Sequence, residues 1–154
     1  MKTDSTTDGA SALQLLVLGS NEQAAGQLAA AREQLQQQFE LLAASACLQS
    51  APIHDDGAPP YLNQAVLIAT ALPPTELKQR LRAIEASLGR VRPAPRPGLC
   101  PIDIDLVAEL GPPLTVWDPK SWNSSYGRSV IRDLMEFAKC NNIEGFVQPP
   151  IDTV

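Results

Sequence analysis

Apolar residues fill most of LQLLVL, Leu13 to Leu18, and give way to Gly19-Ser20-Asn21. A short apolar run ended by turn formers predicts a buried strand followed by a turn. Leu28, Ala31, Leu35, Phe39 and Leu42 then recur at three- and four-residue steps among Gln, Arg and Glu, which predicts an amphipathic helix. AASACLQSAPI reads as a second strand that Pro52 ends, because proline cannot donate to a ladder. After the loop-like IHDDGAPPY, a candidate lid, YLNQAVLIATAL reads as a third strand. Pro73-Pro74 opens a second helix with Leu77, Leu81, Ile84 and Leu88 on its inner face and Gly89 as its stop. IDIDLV alternates strictly and predicts a half-buried strand, and GPP then LTV predicts a turn into a further short one. A last helix is expected over 125–139, capped by Ser124 or Ser125, with Val130, Ile131, Leu134, Phe137 and Ala138 inward.

The resulting order, β-α-β-β-α-β with a later helix, predicts an α+β fold: a ferredoxin-like split βαβ sandwich, mainly antiparallel, with helices packed on the sheet. The 154 residues suffice for one domain. It is placed at 13–140, with a disordered lead over 1–12 and an irregular tail over 141–154, and no internal repeat divides it. That fold hosts many functions, so chemistry has to come from particular side chains.

Charge narrows the classes. A formal net charge of -5 speaks against a general nucleic-acid binder, which needs a basic field to displace counterions from phosphates. An RNA-binding module on this architecture is a poor alternative, since the strands carry almost no aromatic residues for stacking. Cys47, Cys100 and Cys140 are odd in number and widely spaced, so neither a disulfide framework nor a zinc site is indicated. The first dozen residues lack the blocks of a secretory signal, and no apolar run reaches membrane-span length. A cytoplasmic monomer without membrane or nucleic-acid partners is expected.

Against this acidic background, Arg82, Arg90, Arg92 and Arg96 precede the pair Asp103 and Asp105 within one short stretch. Strand side chains alternate, so in Ile102-Asp103-Ile104-Asp105-Leu106 both carboxylates take one face and the aliphatic residues the other. Two carboxylates at that spacing can converge on magnesium. Guanidinium groups match phosphate oxygens with paired donors, so arginines beside a magnesium pair describe a polyphosphate site. In the plainer account the acids sit on a solvated face and the arginines merely pair with surface carboxylates, which contributes little energy.

LGSN near the start, YLNQAV after a Pro-rich loop, IEASLGRVR and IDIDL resemble, in order and spacing, the hydroxymethyldihydropterin pyrophosphokinases of folate biosynthesis. The resemblance covers roughly 15–106 and thins beyond. It implies transfer of pyrophosphate from ATP to the hydroxymethyl oxygen of a dihydropterin, with magnesium and release of AMP. By position it implies that Asp103 and Asp105 are the magnesium ligands and part of the catalytic apparatus with Arg90. It implies that Tyr61 stacks on the pterin, Asn63 hydrogen-bonds its edge, and Ser50, Pro52 and Ile53 line its pocket. Glu85 would lie near the adenosine, and Arg92 and Arg96 would contact phosphates.

Departures from the resemblance cluster late. Gly98-Leu99-Cys100 stands where the family reads Gly-Pro-Arg, and Trp117-Asp118 where it reads Pro-His. A later Arg and Phe of the family fall at Gly127 and Ser129, with Arg128 adjacent and Trp117, Trp122 and Tyr126 as candidate replacement rings. The sole histidine, His54, is expected to be exposed in the first loop. The leading expectation is therefore an ATP- and magnesium-dependent pyrophosphokinase of weakened activity. The alternative is a catalytically impaired paralogue that binds pterin or nucleotide as a regulatory or partner-binding module.

Overall fold

A computed structural model of the chain describes residues 11–51, 57–143 and 146. The elements run β1 (Ala12–Ser20), α1 (Ala24–Gln38), β2 (Glu40–Ala44), β3 (Leu48–Ser50), β4 (Tyr61–Thr70), α2 (Pro74–Ser87), β5 (Asp103–Leu110), β6 (Leu114–Val116), α3 (Pro119–Asn123) and α4 (Ser125–Cys140). The strands form one sheet in the order β2-β4-β1-β5-β6, with β3 pairing β4 beyond the end of β2, and all these pairings are antiparallel. The α+β class with helices on a mainly antiparallel sheet is thus the observed one. No described helix is long and apolar enough to cross a membrane.

Helices cover both faces. Leu28 and Leu35 of α1 and Leu77, Leu81 and Ile84 of α2 pack with Leu16, Leu18, Val66, Ile68, Ile104 and Leu106. On the other face Trp122 of α3 and Val130, Ile131 and Leu134 of α4 pack with Leu15, Val17, Ala65, Leu67 and Val107. This double cover explains why Leu15 to Leu18 are all apolar: successive side chains enter opposite cores, so alternation has no polar face to report.

Several sequence expectations need correction. Phe39 and Leu42 do not extend α1: Phe39 is its extended C-cap at φ -137°, and Leu42 lies in β2. A residue entering a strand prolonged the helical spacing by coincidence. AASACLQSAPI is not one strand, because β2 begins earlier, at Glu40, and β3 resumes at Leu48 after Ser45 Oγ has accepted a bond from the Ala65 amide. Phe137 is 44% exposed rather than inward, and Met135 fills the core beside Leu134. The short helix α3 was not anticipated; its N-cap is Asp118, which accepts from the Ser121 amide, and Pro119 opens it. Ser124, not Ser125, caps α4 by accepting from the Gly127 amide. The calls on the lead 1–10, on Pro52, Ile53 and His54, and on most of the tail fall outside the described residues.

The alternation of β5 holds. Ile104 and Leu106 enter the α1/α2 core, whereas Asp103 and Asp105 share the opposite face with Val107, near the end of the sheet where β1 turns at Ser20.

Candidate functional site

Strand register builds the floor of the site. Asn63, Gly19 and Asp103 lie side by side on β4, β1 and β5, and one step back lie Ala65, Val17 and Asp105. Gly19 is the one position of the first row without a side chain. A Cβ there would stand 3.2 Å from Asn63 Oδ1 and 3.6 Å from Tyr61 Cδ2, so glycine keeps the floor flat between the amide and the carboxylate.

Above this floor is a cavity of about 200 Å³. Its walls include Tyr61 and Tyr126, with Ser50, Asn63, Arg90 and Cys100 at the polar positions and Asp103 and Asp105 on one side. Asn63 Nδ2 donates to Ser50 Oγ at 2.8 Å and to Leu48 O at 3.3 Å. Its amide is thereby fixed, and Ser50 and Asn63 line the same cavity. Desolvation, followed by the nearby Cys100 and Asp103, pushes the Tyr61 phenol up to about 12, so this hydroxyl stays protonated as a donor. Burial also raises the Cys100 thiol, against the opposing pull of Arg90, so it is a neutral wall rather than a nucleophile.

Of the candidate rings, Tyr126 alone lines this cavity. Trp122 is buried in the core, and Trp117 packs from the other layer with Nε1 donating to Gln14 Oε1 at 3.1 Å. Arg128 lines neither this cavity nor the next, and its Nε is buried without a partner among the described residues.

A second cavity, about 190 Å³, opens on the far side of the same aspartates. Lys78, Arg82 and Arg92 bring positive charge to it, and Glu85, Asp103, Asp105 and Asp118 bring negative charge. Lys78 was not singled out from the sequence, and Arg82 was noted only as part of the basic stretch before the aspartates. Their signal was available in the spacing 78, 82, 85, which sets them on the face of α2 that carries Glu85.

Arginines and acids meet here directly. Glu85 is 2% exposed, yet its carboxylate is satisfied: Oε2 accepts from the Ile104 amide at 2.7 Å and Oε1 from Arg92 Nη1 at 3.1 Å, with Arg90 Nη1 3.8 Å from Oε2. The Ile104 amide lies between the two aspartates, at a part of β5 that β6 does not reach. A buried carboxylate is tolerated only with such partners. Arg90 Nη1 donates to Asp103 Oδ1 at 3.1 Å and to Ile102 O at 2.8 Å, and Arg96 pairs with Glu22. The three arginines are therefore engaged with carboxylates, though Glu85, the partner of Arg92, is buried rather than the surface acid of the plainer account.

Asn21, the last residue of LGSN, was read as a turn residue and as part of that motif, with no contacts of its own. Nδ2 donates to Gly98 O at 2.7 Å and Pro59 O at 3.3 Å, and Oδ1 accepts from the Cys100 amide at 2.7 Å. One buried amide thus ties together the two loops that flank the first cavity.

Among the described residues Asp105 is the most perturbed acid. Burial, the negative charge of Asp103, a hydrogen bond between the two side chains and the charge of Asp118 push its carboxyl up to about 8, while Ser121 works the other way. Such a pair is short of positive charge. Magnesium commonly takes one or two protein carboxylates and completes its octahedron with water and phosphate oxygens, and this donor set suits it. Among the described residues no cluster of three or more acidic, Cys or His side chains is arranged to hold an ion.

The geometry is thus two cavities, one walled by tyrosines and amides and one by cationic side chains, that share a pair of aspartates. Compared with known families, residues 15–138 match 7,8-dihydro-6-hydroxymethylpterin-pyrophosphokinase, and the chain belongs to that family of folate biosynthesis.

Proposed function

We propose that this chain transfers pyrophosphate from ATP to the hydroxymethyl group of a dihydropterin, with magnesium held by Asp103 and Asp105. The observation that carries the reading is that these two carboxylates line both cavities. A group bound on one side and a group bound on the other would meet at them.

In this reading the pterin ring lies in the first cavity between Tyr61 and Tyr126, with Asn63 and Ser50 at its polar edge. Offset stacking on two rings adds to the burial of an aromatic ligand. The triphosphate lies toward the second cavity, where Lys78, Arg82 and Arg92 supply charge and Arg90 and Arg96 approach from the loop. Magnesium would neutralise the phosphate oxygens and relieve the repulsion between the aspartates. The hydroxymethyl oxygen would attack the β-phosphorus, the bond from that phosphorus to the bridging oxygen would break with its electron pair leaving on AMP, and the hydroxyl proton would pass to solvent. The protein contributes mainly position and charge to such a transfer.

Arg90, Arg92 and Arg96 have to leave their carboxylate partners to serve the phosphates. Glu85 then acts less as a nucleotide contact than as a clamp on the Ile104 amide. The direct test is AMP release from ATP and 6-hydroxymethyl-7,8-dihydropterin. Turnover should vanish on chelation of magnesium, and unchanged turnover in both Asp103→Ala and Asp105→Ala would overturn the proposed metal role.

A second reading has a specific observation behind it. Cys100 and Asp118 line the cavities at positions where the sequence resemblance calls for an arginine and a histidine. Loss of a charge that acts in the transition state costs about 10² to 10³ in rate. Binding without efficient turnover is the outcome if those losses are uncompensated; titration calorimetry on the same sample separates the two readings.

A further inference from the structure

The hydroxyl of Ser121 has no part in the reading above, yet it sits against its centre. Ser121 is 3% exposed, and its Oγ lies 2.9 Å from Asp118 Oδ2 and 3.3 Å from Asp105 Oδ2. A serine hydroxyl has one proton, so it can satisfy one of these acceptors at a time.

Everything else about Ser121 is fixed. Its amide donates to Asp118 Oδ1 at 3.2 Å, closing the first turn of α3. Its carbonyl accepts from Ser124 Oγ at 2.8 Å and from the Ser124 amide at 3.2 Å, at the cap of α4. The first turn of α4 presses on the same carbonyl: a Cβ on Gly127 would stand 2.2 Å from Ser121 O, so only glycine permits this approach. The backbone of Ser121 is therefore clamped between two helix starts, and the hydroxyl is presented to Asp105 at a set place.

We infer that Ser121 is a positioning residue for Asp105, donating to Oδ2 and leaving the other carboxylate oxygen to face the cation. This rests on the reading of Asp105 as a metal ligand. Hydrogen bonds to ligating carboxylates orient them, and their loss commonly costs about 10- to 100-fold in metal affinity. Because the backbone is clamped, turning the hydroxyl hydrogen from Asp118 Oδ2 to Asp105 Oδ2 needs only rotation about the side-chain bonds.

The test measures Mn²⁺ affinity by the paramagnetic resonance of free Mn²⁺, with a non-hydrolysable α,β-methylene analogue of ATP present. Asp105→Asn is the control: if it binds Mn²⁺ like the parent, the ligand reading fails and the inference falls with it. If Asp105→Asn loses binding, Ser121→Ala should weaken Mn²⁺ about 10- to 100-fold. Ser121→Thr, which keeps the hydroxyl, should stay close to the parent. Ser121→Cys, similar in shape with a weak donor, should behave like Ser121→Ala and stands in for it should that variant fold poorly. The metal-free thermal midpoint should move little, since the Asp118 cap bonds the Ser121 backbone. The requirement for magnesium should rise more than the turnover number falls. Parent-like affinity in Ser121→Ala or Ser121→Cys, with binding lost in Asp105→Asn, would overturn the inference alone.

Discussion

The two cavities that meet at Asp103 and Asp105 are built by different means. The first rests on strand register: Asn63, Gly19 and Asp103 are neighbours because three antiparallel strands pair in one frame. Its amide is bonded to Ser50 and Leu48, and its loops are tied by Asn21. The second is bounded by a helix face and a loop, and Arg92 there, like Arg90 between the cavities, is spent on Glu85 and Asp103. On the proposed function, the first side would take a planar ligand as it stands, whereas the second would have to exchange internal ion pairs for those of a polyphosphate. A register-built pocket holds its shape without a ligand; a charge-built one is reorganised by it.

The largest expected effect lies where the cavities join. Asp103→Ala or Asp105→Ala should lower the rate of AMP formation by at least about 10²-fold, the scale of losing a group that acts on developing charge. Dihydropterin affinity should fall far less, so calorimetry with pterin alone distinguishes a broken metal site from a broken pocket.

Next comes a change confined to the register-built side. Gly19→Val puts side-chain carbons where even a Cβ is 3.2 Å from Asn63 Oδ1. Pterin binding should drop below detection in calorimetry, while affinity for an ATP analogue stays within a few-fold. Equal loss of both would mean that the two sides are not separately built. Tyr126→Ala on the same side should cost about 10-fold in pterin affinity and Tyr126→Phe almost nothing, since stacking uses the ring.

The charge-built side is sharpened by Glu85→Gln. The new amide oxygen can still accept from Ile104, but Arg92 loses its anionic partner while Arg90 keeps Asp103. The thermal midpoint should fall by several degrees, and ATP-analogue affinity should hold or rise because the Arg92 guanidinium is freed. A fall in both would assign Glu85 a direct nucleotide contact instead.

A last test concerns pH without metal. The Asp105 carboxyl is raised from 3.8 to about 8 on folding, so between those values the native state holds a proton that the unfolded chain does not. That contribution is complete below about pH 4 and is lost as pH rises through 8. The metal-free thermal midpoint of the parent should therefore decline relative to Asp105→Asn across this window, and magnesium with nucleotide should narrow the gap. Parallel profiles would show that Asp105 is not protonated there.

Much was readable in the residues alone. Period-2 alternation in IDIDLV placed both aspartates on one face, and that arrangement depends only on strand geometry. YLNQAV and the helix 74–87 were equally local, and the ordered short motifs carried the family before any coordinates. Local patterning failed where a long-range contact overrode it. Leu42 kept a helical step inside a strand that pairs with β4, and Phe137 fell on the outer side of α4 because the sheet took Met135.

Only the tertiary structure could decide which ring closes the first cavity. Tyr126, Trp117 and Trp122 are equivalent as aromatic residues in a chain, and they differ because α3 buries Trp122, Gln14 holds Trp117, and the start of α4 puts Tyr126 at the pocket. The same holds for Ser121, which lies sixteen residues from Asp105 and becomes its neighbour through α3 packing on β5. Covalent spacing determines which side chains share a face of an element. Which elements bring their faces together is set by burial and pairing across the whole chain, and the candidate site lies where they meet.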